Sequence, residues 1–179
     1  RRPSDTAAST ALETLYEQLG RDRDLARLIE VRAEAETDQA KRAQLFARVA
    51  ALRSNRGDVD GALAAFAAAF KADPANREVF TAMERVCYKA ERWAAAMQLY
   101  EGAIAHVEGG QSRAYRLGDL YARRGNVQLN FLGQTDASIL SYQKVVEVDS
   151  QPAAAVATLE QICKQRSDWD PLIVAWEKR

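Results

Sequence analysis

The sequence predicts an all-α fold built from repeated units. The chain resembles itself at an offset of 34 residues, and a fixed period of this length is typical of repeat architectures. Apolar residues also recur at helical spacing, whereas segments that alternate as strands do are almost absent. The pairs aligned by the offset are Val49 and Met83, Gly57 and Glu91, Ala62 and Ala96, Phe66 and Tyr100, and Ala69 and Ala103.

The aligned positions carry the residue types of a helix–turn–helix unit. Within residues 43–76, a Gly-Asp turn at positions 57 and 58 separates two apolar-periodic segments. The second segment places Ala62, Phe66 and Ala69 at the spacing Ala-x-x-x-aromatic-x-x-Ala. This pattern resembles the tetratricopeptide repeat (TPR) family. The resemblance implies a right-handed superhelical solenoid that serves as a binding surface rather than as a catalyst.

Five TPR-like units are expected along the chain, in one array. They cover about residues 9–42, 43–76, 77–110, 111–150 and 151–179, and the last unit is truncated. The first unit is degenerate, with Leu12 and Tyr16 at its first-helix positions. The segment Arg1–Asp5 is expected to be disordered or extended. Because the chain begins without methionine and shows no signal-peptide pattern, we expect it to be a piece of a longer protein.

Composition narrows the class of protein. Apolar residues make up 47% and charged residues 28%, which is typical of a soluble helical protein rather than a disordered one. The 25 basic residues balance 25 acidic ones, so the charge expected of a nonspecific nucleic-acid binder is missing. No apolar run is long enough to span a bilayer. Cys87 and Cys163 share a repeat position two units apart, which predicts separate, buried packing thiols and favours a cytoplasmic setting.

No catalytic or metal-binding constellation is expected, and no cofactor follows from the sequence. The single histidine, His106, lies near the predicted end of a second helix, where we expect it to be solvated. The recurrent aromatic residues are interpreted as core and structural positions rather than as a base-stacking platform. They are Phe66, Tyr100, Tyr142 and Trp176 at one repeat position and Trp93 and Trp169 at another.

The resemblance also implies a set of partner-binding residues, because first helices line the concave side of TPR arrays. In the later units these residues are Arg85, Tyr88, Lys89, Tyr115, Asp119, Arg123 and Lys164. Basic side chains flanked by tyrosines would form a positive patch suited to an acidic segment or a terminal carboxylate. The alternative is an ordinary set of solvated charges.

An insertion at residues 125–132 separates the two predicted helices of the fourth unit. Its apolar residues are Val127, Leu129, Phe131 and Leu132, and the segment alternates as a strand would. In one interpretation the insertion extends the first helix and packs on its own unit. In the other it offers a hydrophobic docking point to a partner or a second copy.

The predicted function is non-catalytic protein–protein interaction within a larger scaffold or assembly protein, in the manner of long bacterial TPR scaffolds. A concave groove would bind a peptide or a partner-protein segment, and the positive patch favours an acidic one. Two alternatives stay open. In the first, the chain is the substrate-recruiting array of an enzyme whose catalytic domain lies outside it. In the second, it is an RNA-binding helical repeat, although its neutral net charge argues against RNA binding.

Overall fold

The computed structural model describes residues 6–110 and 114–178, so the predicted disordered segment Arg1–Asp5 lies outside the described residues. These two ranges contain ten α-helices and no strand, which confirms the all-α fold class. The helices are α1 Thr6–Gln18, α2 Asp22–Ala35, α3 Gln39–Asn55, α4 Val59–Ala72, α5 Arg77–Lys89, α6 Trp93–Glu108, α7 Leu117–Asn130, α8 Thr135–Val148, α9 Ala153–Arg166 and α10 Asp170–Glu177.

The chain divides into two compact units. The first ends at Arg92 and contains α1 to α5, and the second begins at Trp93 and contains α6 to α10. In the first unit each helix packs against the next one along the chain. In the second unit the same holds, and α8 also contacts α10. The boundary therefore falls inside the predicted third repeat, residues 77–110.

The periodic positions form the cores of both units. In α4, Ala62, Phe66 and Ala69 are buried. In α6, Ala96 and Tyr100 have no exposed surface. Small alanine side chains let neighbouring helices approach closely, and the aromatic ring fills the space between them. The aligned positions predicted as core in these two helices are thus confirmed.

Each of the five turns between a first helix and its second helix contains one residue in the left-handed region. The φ values are 63° at Gly20, 78° at Gly57, 55° at Glu91, 64° at Gly133 and 54° at Ser167. Glycine adopts this conformation freely, but a residue with a Cβ pays roughly 1–2 kcal/mol for it. Two of the five turns are therefore strained.

The inward face of α1 is polar, which differs from the expected apolar first helix. Glu13 is buried, whereas Leu12 is 41% exposed. The Glu13 carboxylate accepts a hydrogen bond from Arg48 Nη1 on α3 at 2.7 Å and forms an ion pair with Arg32 on α2. A buried carboxylate needs such partners, because an unpaired charge would not be tolerated inside the protein. These ion pairs connect α1 to both following helices.

The aromatic residues of the last pair of helices are less buried than expected. Trp176, predicted as interhelix core, is 50% exposed, and Trp169 is 46% exposed. The interpretation of Trp176 as core is therefore wrong. The reason is that α10 packs against α8 and α9 through the face that contains the buried Ala175. Trp176 follows Ala175 directly and is therefore about 100° away from it around the helix axis.

Candidate partner-binding surface

Three of the predicted partner-binding residues lie on one face of α5. Arg85, Tyr88 and Lys89 occupy positions i, i+3 and i+4, so they are neighbours on the helix surface, and each is exposed. No ion pair joins Arg85 or Lys89 to an acidic residue within the described ranges. Met83 and Cys87, elsewhere on the helix, are buried. Thus α5 is fixed by its apolar face and presents two cations and an aromatic ring to solvent.

The other four predicted residues lie in the second unit. Asp119 and Arg123 occupy successive turns of α7 and are exposed, and Lys164 is exposed in the last turn of α9. Tyr115, just before α7, is half-buried, and its hydroxyl oxygen has no access to solvent. A partner at this position would meet the tyrosine ring rather than its hydroxyl. That the residues of both units form one patch stays a prediction.

The insertion at residues 125–132 lengthens α7 and forms no strand. Its side chains are fully buried at Val127, half-buried at Leu129 and Leu132, and 45% exposed at Phe131. The Phe131 ring stacks on Trp93, with 3.9 Å between the ring centroids and 15° between the planes. The helix extension of the first interpretation is what the structure contains. The Phe131 ring, however, packs on α6 of the predicted third repeat rather than on its own repeat. A docking point here would have to use the three side chains that are not fully buried, Leu129, Phe131 and Leu132.

Polar side chains connect α7 and α8 inside their hairpin. Arg124 Nε donates to Ser141 Oγ at 3.0 Å, and the Ser141 hydroxyl donates to Gln128 Oε1 at 2.7 Å. Ser141 and Gln128 are buried, so each polar group requires such a partner. Gly125 lies against the same place, because a Cβ there would stand 3.2 Å from Ser141 Cβ and 3.1 Å from the Tyr142 ring. Glycine at the start of the insertion thus permits close packing.

Tyr121 links α7 to α6. Its hydroxyl donates to Glu108 Oε1 at 2.6 Å, and the Arg124 guanidinium lies 4.8 Å from the ring centroid. Burial, followed by the hydrogen bond to Glu108, raises the pKa of Tyr121 from its ordinary 10.0 to about 12. The phenol therefore stays protonated at physiological pH and serves as a fixed donor.

The titratable side chains of the described residues were compared with the arrangements that metal binding and nucleophilic chemistry require. In residues 6–110 and 114–178, no group of three or more His, Cys, Asp or Glu side chains is arranged to hold a metal ion. Burial, followed by the charge of Glu84, raises the pKa of Cys87 to about 11, so its thiol is a poor nucleophile at neutral pH. His106, expected to be solvated, is instead half-buried, with Nε2 out of contact with solvent. Among the described helices, none combines the length and apolarity that crossing a bilayer requires.

Comparisons with known proteins show resemblance at the level of structure. No protein-family model matches the chain, and no curated protein sequence matches it. The crystal structure of MamA, a TPR-like protein, gives a TM-score of 0.51 at 15% identity and covers 93% of each chain. BtubC (BKLC) from P. vanneervenii gives 0.48 at 15% identity, covering 98% of this chain and 78% of that one. MamA MSR-1 C2 gives 0.41 at 15% identity, covering 96% and 95%. The likeness to MamA supports a TPR-like helical-repeat fold for this chain.

Proposed function

We propose that this chain is a non-catalytic protein-interaction module that binds a peptide or a segment of a partner protein within a larger scaffold. The observation that carries the proposal is the exposed face of α5, where Arg85, Tyr88 and Lys89 stand together and neither cation is paired with an acidic residue of the described ranges. Guanidinium and ammonium groups in this state are suited to carboxylates, which favours an acidic partner segment. Asp119, Arg123 and Lys164 are proposed as further contacts in the second unit.

The mechanism is presentation of side chains by helices that are already ordered. Because α5 packs through Met83 and Cys87, the backbone that carries its outer residues is ordered before a partner arrives. Binding to a preformed surface costs less conformational entropy than binding that must first order the protein. The Tyr88 ring adds apolar contact area, and the two cations set the charge that the partner must carry.

The test is charge reversal on the predicted surface of the full chain. A triple variant, Arg85→Glu with Lys89→Glu and Arg123→Glu, is compared with a control that reverses three exposed charges elsewhere. The control combines Lys71→Glu, Arg77→Glu and Lys178→Glu. Proteins retained from a cell extract are quantified by mass spectrometry, and crosslinks are mapped onto the chain. Circular dichroism checks that both variants keep their helices.

We expect at least one acidic partner to be retained by the original chain and the control but lost by the predicted-surface variant. Its crosslinks should fall on α5 or α7. Retention of the same proteins by both variants would contradict the proposed surface, because the charges that define it would then contribute nothing to binding.

A further inference from the structure

The first unit contains a cavity lined by arginines that the sequence pattern did not indicate. It is formed by α2, the end of α3 and the start of α4, and its volume is about 490 Å³. Four arginines line it. They are Arg23 and Arg27, one turn apart on α2, and Arg53 and Arg56 at the C-terminal end of α3.

The acidic residues that share this cavity already have partners. Asp24 is paired with Arg21 at 2.7 Å, and Glu30 is paired with Arg53 at 2.6 Å. Asp58 accepts a hydrogen bond from a backbone amide in the first turn of α4, at 3.0 Å. Two of the three carboxylates are therefore engaged in ion pairs, and the third caps a helix.

Three of the arginines are not engaged in this way. Arg23, Arg27 and Arg56 are exposed and form no ion pair with an acidic residue of the described chain. The fourth, Arg53, is only 22% exposed and is held by Glu30 and by the carbonyl of Gly61 at 3.3 Å. Among the described residues that line the cavity, four arginines outnumber three carboxylates, so the lining keeps a net positive charge. The contacts of Arg53 hold that side chain in place.

We propose that this cavity binds an acidic segment of the protein partner, with carboxylates of the segment paired to Arg23, Arg27 and Arg56. The guanidinium group presents a planar set of donors that matches a carboxylate with two parallel hydrogen bonds. A volume of about 490 Å³ is much larger than one carboxylate requires, so the cavity suits several acidic side chains in sequence. The inference rests on the proposed function and assigns to it a second contact site on the first unit.

The experiment measures binding of a fluorescent ten-residue polyglutamate peptide to the full chain by anisotropy at low salt. A polyglutamine peptide of equal length controls for the backbone, and a single-stranded RNA oligonucleotide tests for general polyanion binding. Three charge-neutralising variants are compared, each with three substitutions. The cavity variant combines Arg23→Gln, Arg27→Gln and Arg56→Gln. The surface variant combines Arg85→Gln, Lys89→Gln and Arg123→Gln. The control combines Lys41→Gln, Lys71→Gln and Arg77→Gln.

We expect the cavity variant to bind polyglutamate about tenfold more weakly, or worse, because three charge-assisted hydrogen-bonding partners are lost. The control should bind as the original chain does, and added salt should weaken binding throughout. A loss in both the cavity and the surface variants also supports the inference, with two acidic contacts.

Other results overturn it. If only the surface variant loses affinity, the cavity inference fails while the proposed function stands. Equal binding by every variant would remove both the cavity site and the acidic character of the proposed partner. Tighter binding of RNA than of polyglutamate, lost in the cavity variant, would assign the cavity to nucleic acid instead.

Discussion

Replacement of Glu91 by glycine should stabilise the chain, which makes the strained turns testable. Glu91 has φ 55° at the repeat position where Gly57 has φ 78°. The Glu91 side chain forms no hydrogen bond or ion pair within the described chain, so its removal sacrifices no such contact. The substitution therefore acts on the backbone.

The expected gain follows from two opposing contributions. Relief of the left-handed conformation contributes roughly 1–2 kcal/mol to the free energy of unfolding. The greater freedom of glycine in the unfolded chain returns about 0.5–1 kcal/mol of that. The net stabilisation should be about 0.5–1 kcal/mol, which corresponds to a rise in Tm of about 1–4 °C for a chain of this length.

Urea unfolding followed by circular dichroism measures this change as a higher midpoint at unchanged slope. Glu91→Ala is the matched control, because it removes the same carboxylate but keeps a Cβ and should not stabilise. The reciprocal change, Gly57→Ala, should cost roughly 1–2 kcal/mol in backbone conformation, offset by about 0.5–1 kcal/mol from the reduced freedom of the unfolded chain. No steric cost is added, since no atom of the described residues lies within 4 Å of the added Cβ. An unchanged midpoint for Glu91→Gly, or a neutral Gly57→Ala, would refute the assignment of strain to these turns.

Three further changes test the packing. Ala96→Leu should overpack a site with no exposed surface and destabilise by roughly 1–3 kcal/mol; normal thermal unfolding would argue against the repeat alignment. Phe131→Ala should lose about 0.5–1.5 kcal/mol of ring stacking and alter tryptophan fluorescence through Trp93, and an identical spectrum would count against that contact. Because the folded pKa of Tyr121 is about 12 and its ordinary value is 10.0, the folded state holds this proton more tightly. Stability should fall as pH rises from 10 toward 12, and Tyr121→Phe should reduce that fall; an equal pH dependence in both proteins would contradict the raised pKa.

The repeated core could be predicted from the sequence because each of its contacts recurs at the same offset. Ala62, Phe66 and Tyr100 are recognisable by spacing alone, and their burial requires only that successive helices pack alike. The turn conformations could be predicted only in part. The alignment of Gly57 with Glu91 was visible, but the φ value that the two share depends on the helix geometry on both sides.

Contacts between residues at different repeat positions could not be predicted from the sequence. Glu13 and Arg48 are 35 residues apart, and neither occupies a position that the repeat pattern assigns to the core. The cavity arginines come from α2 and α3, where the sequence shows only scattered basic residues. Among the predicted partner-binding residues, the exposure of Arg85 and Lys89 followed from helix periodicity, whereas the buried hydroxyl of Tyr115 depends on packing just before α7.

The ion pairs of Glu13 have a consequence for how the N-terminal helix detaches. A desolvated ion pair adds little net stability, because the attraction between its charges mainly offsets their lost hydration. Helix α1 packs chiefly on α2 and leaves Leu12 and Leu15, and Leu19 just after its end, about half exposed. Its release should therefore be a subglobal opening that requires less free energy than unfolding of the alanine-packed hairpin α3–α4. Such an opening would separate Glu13 from Arg32 and Arg48 and expose the part of α2 that α1 covers, while the packing of α2 on α3 is kept.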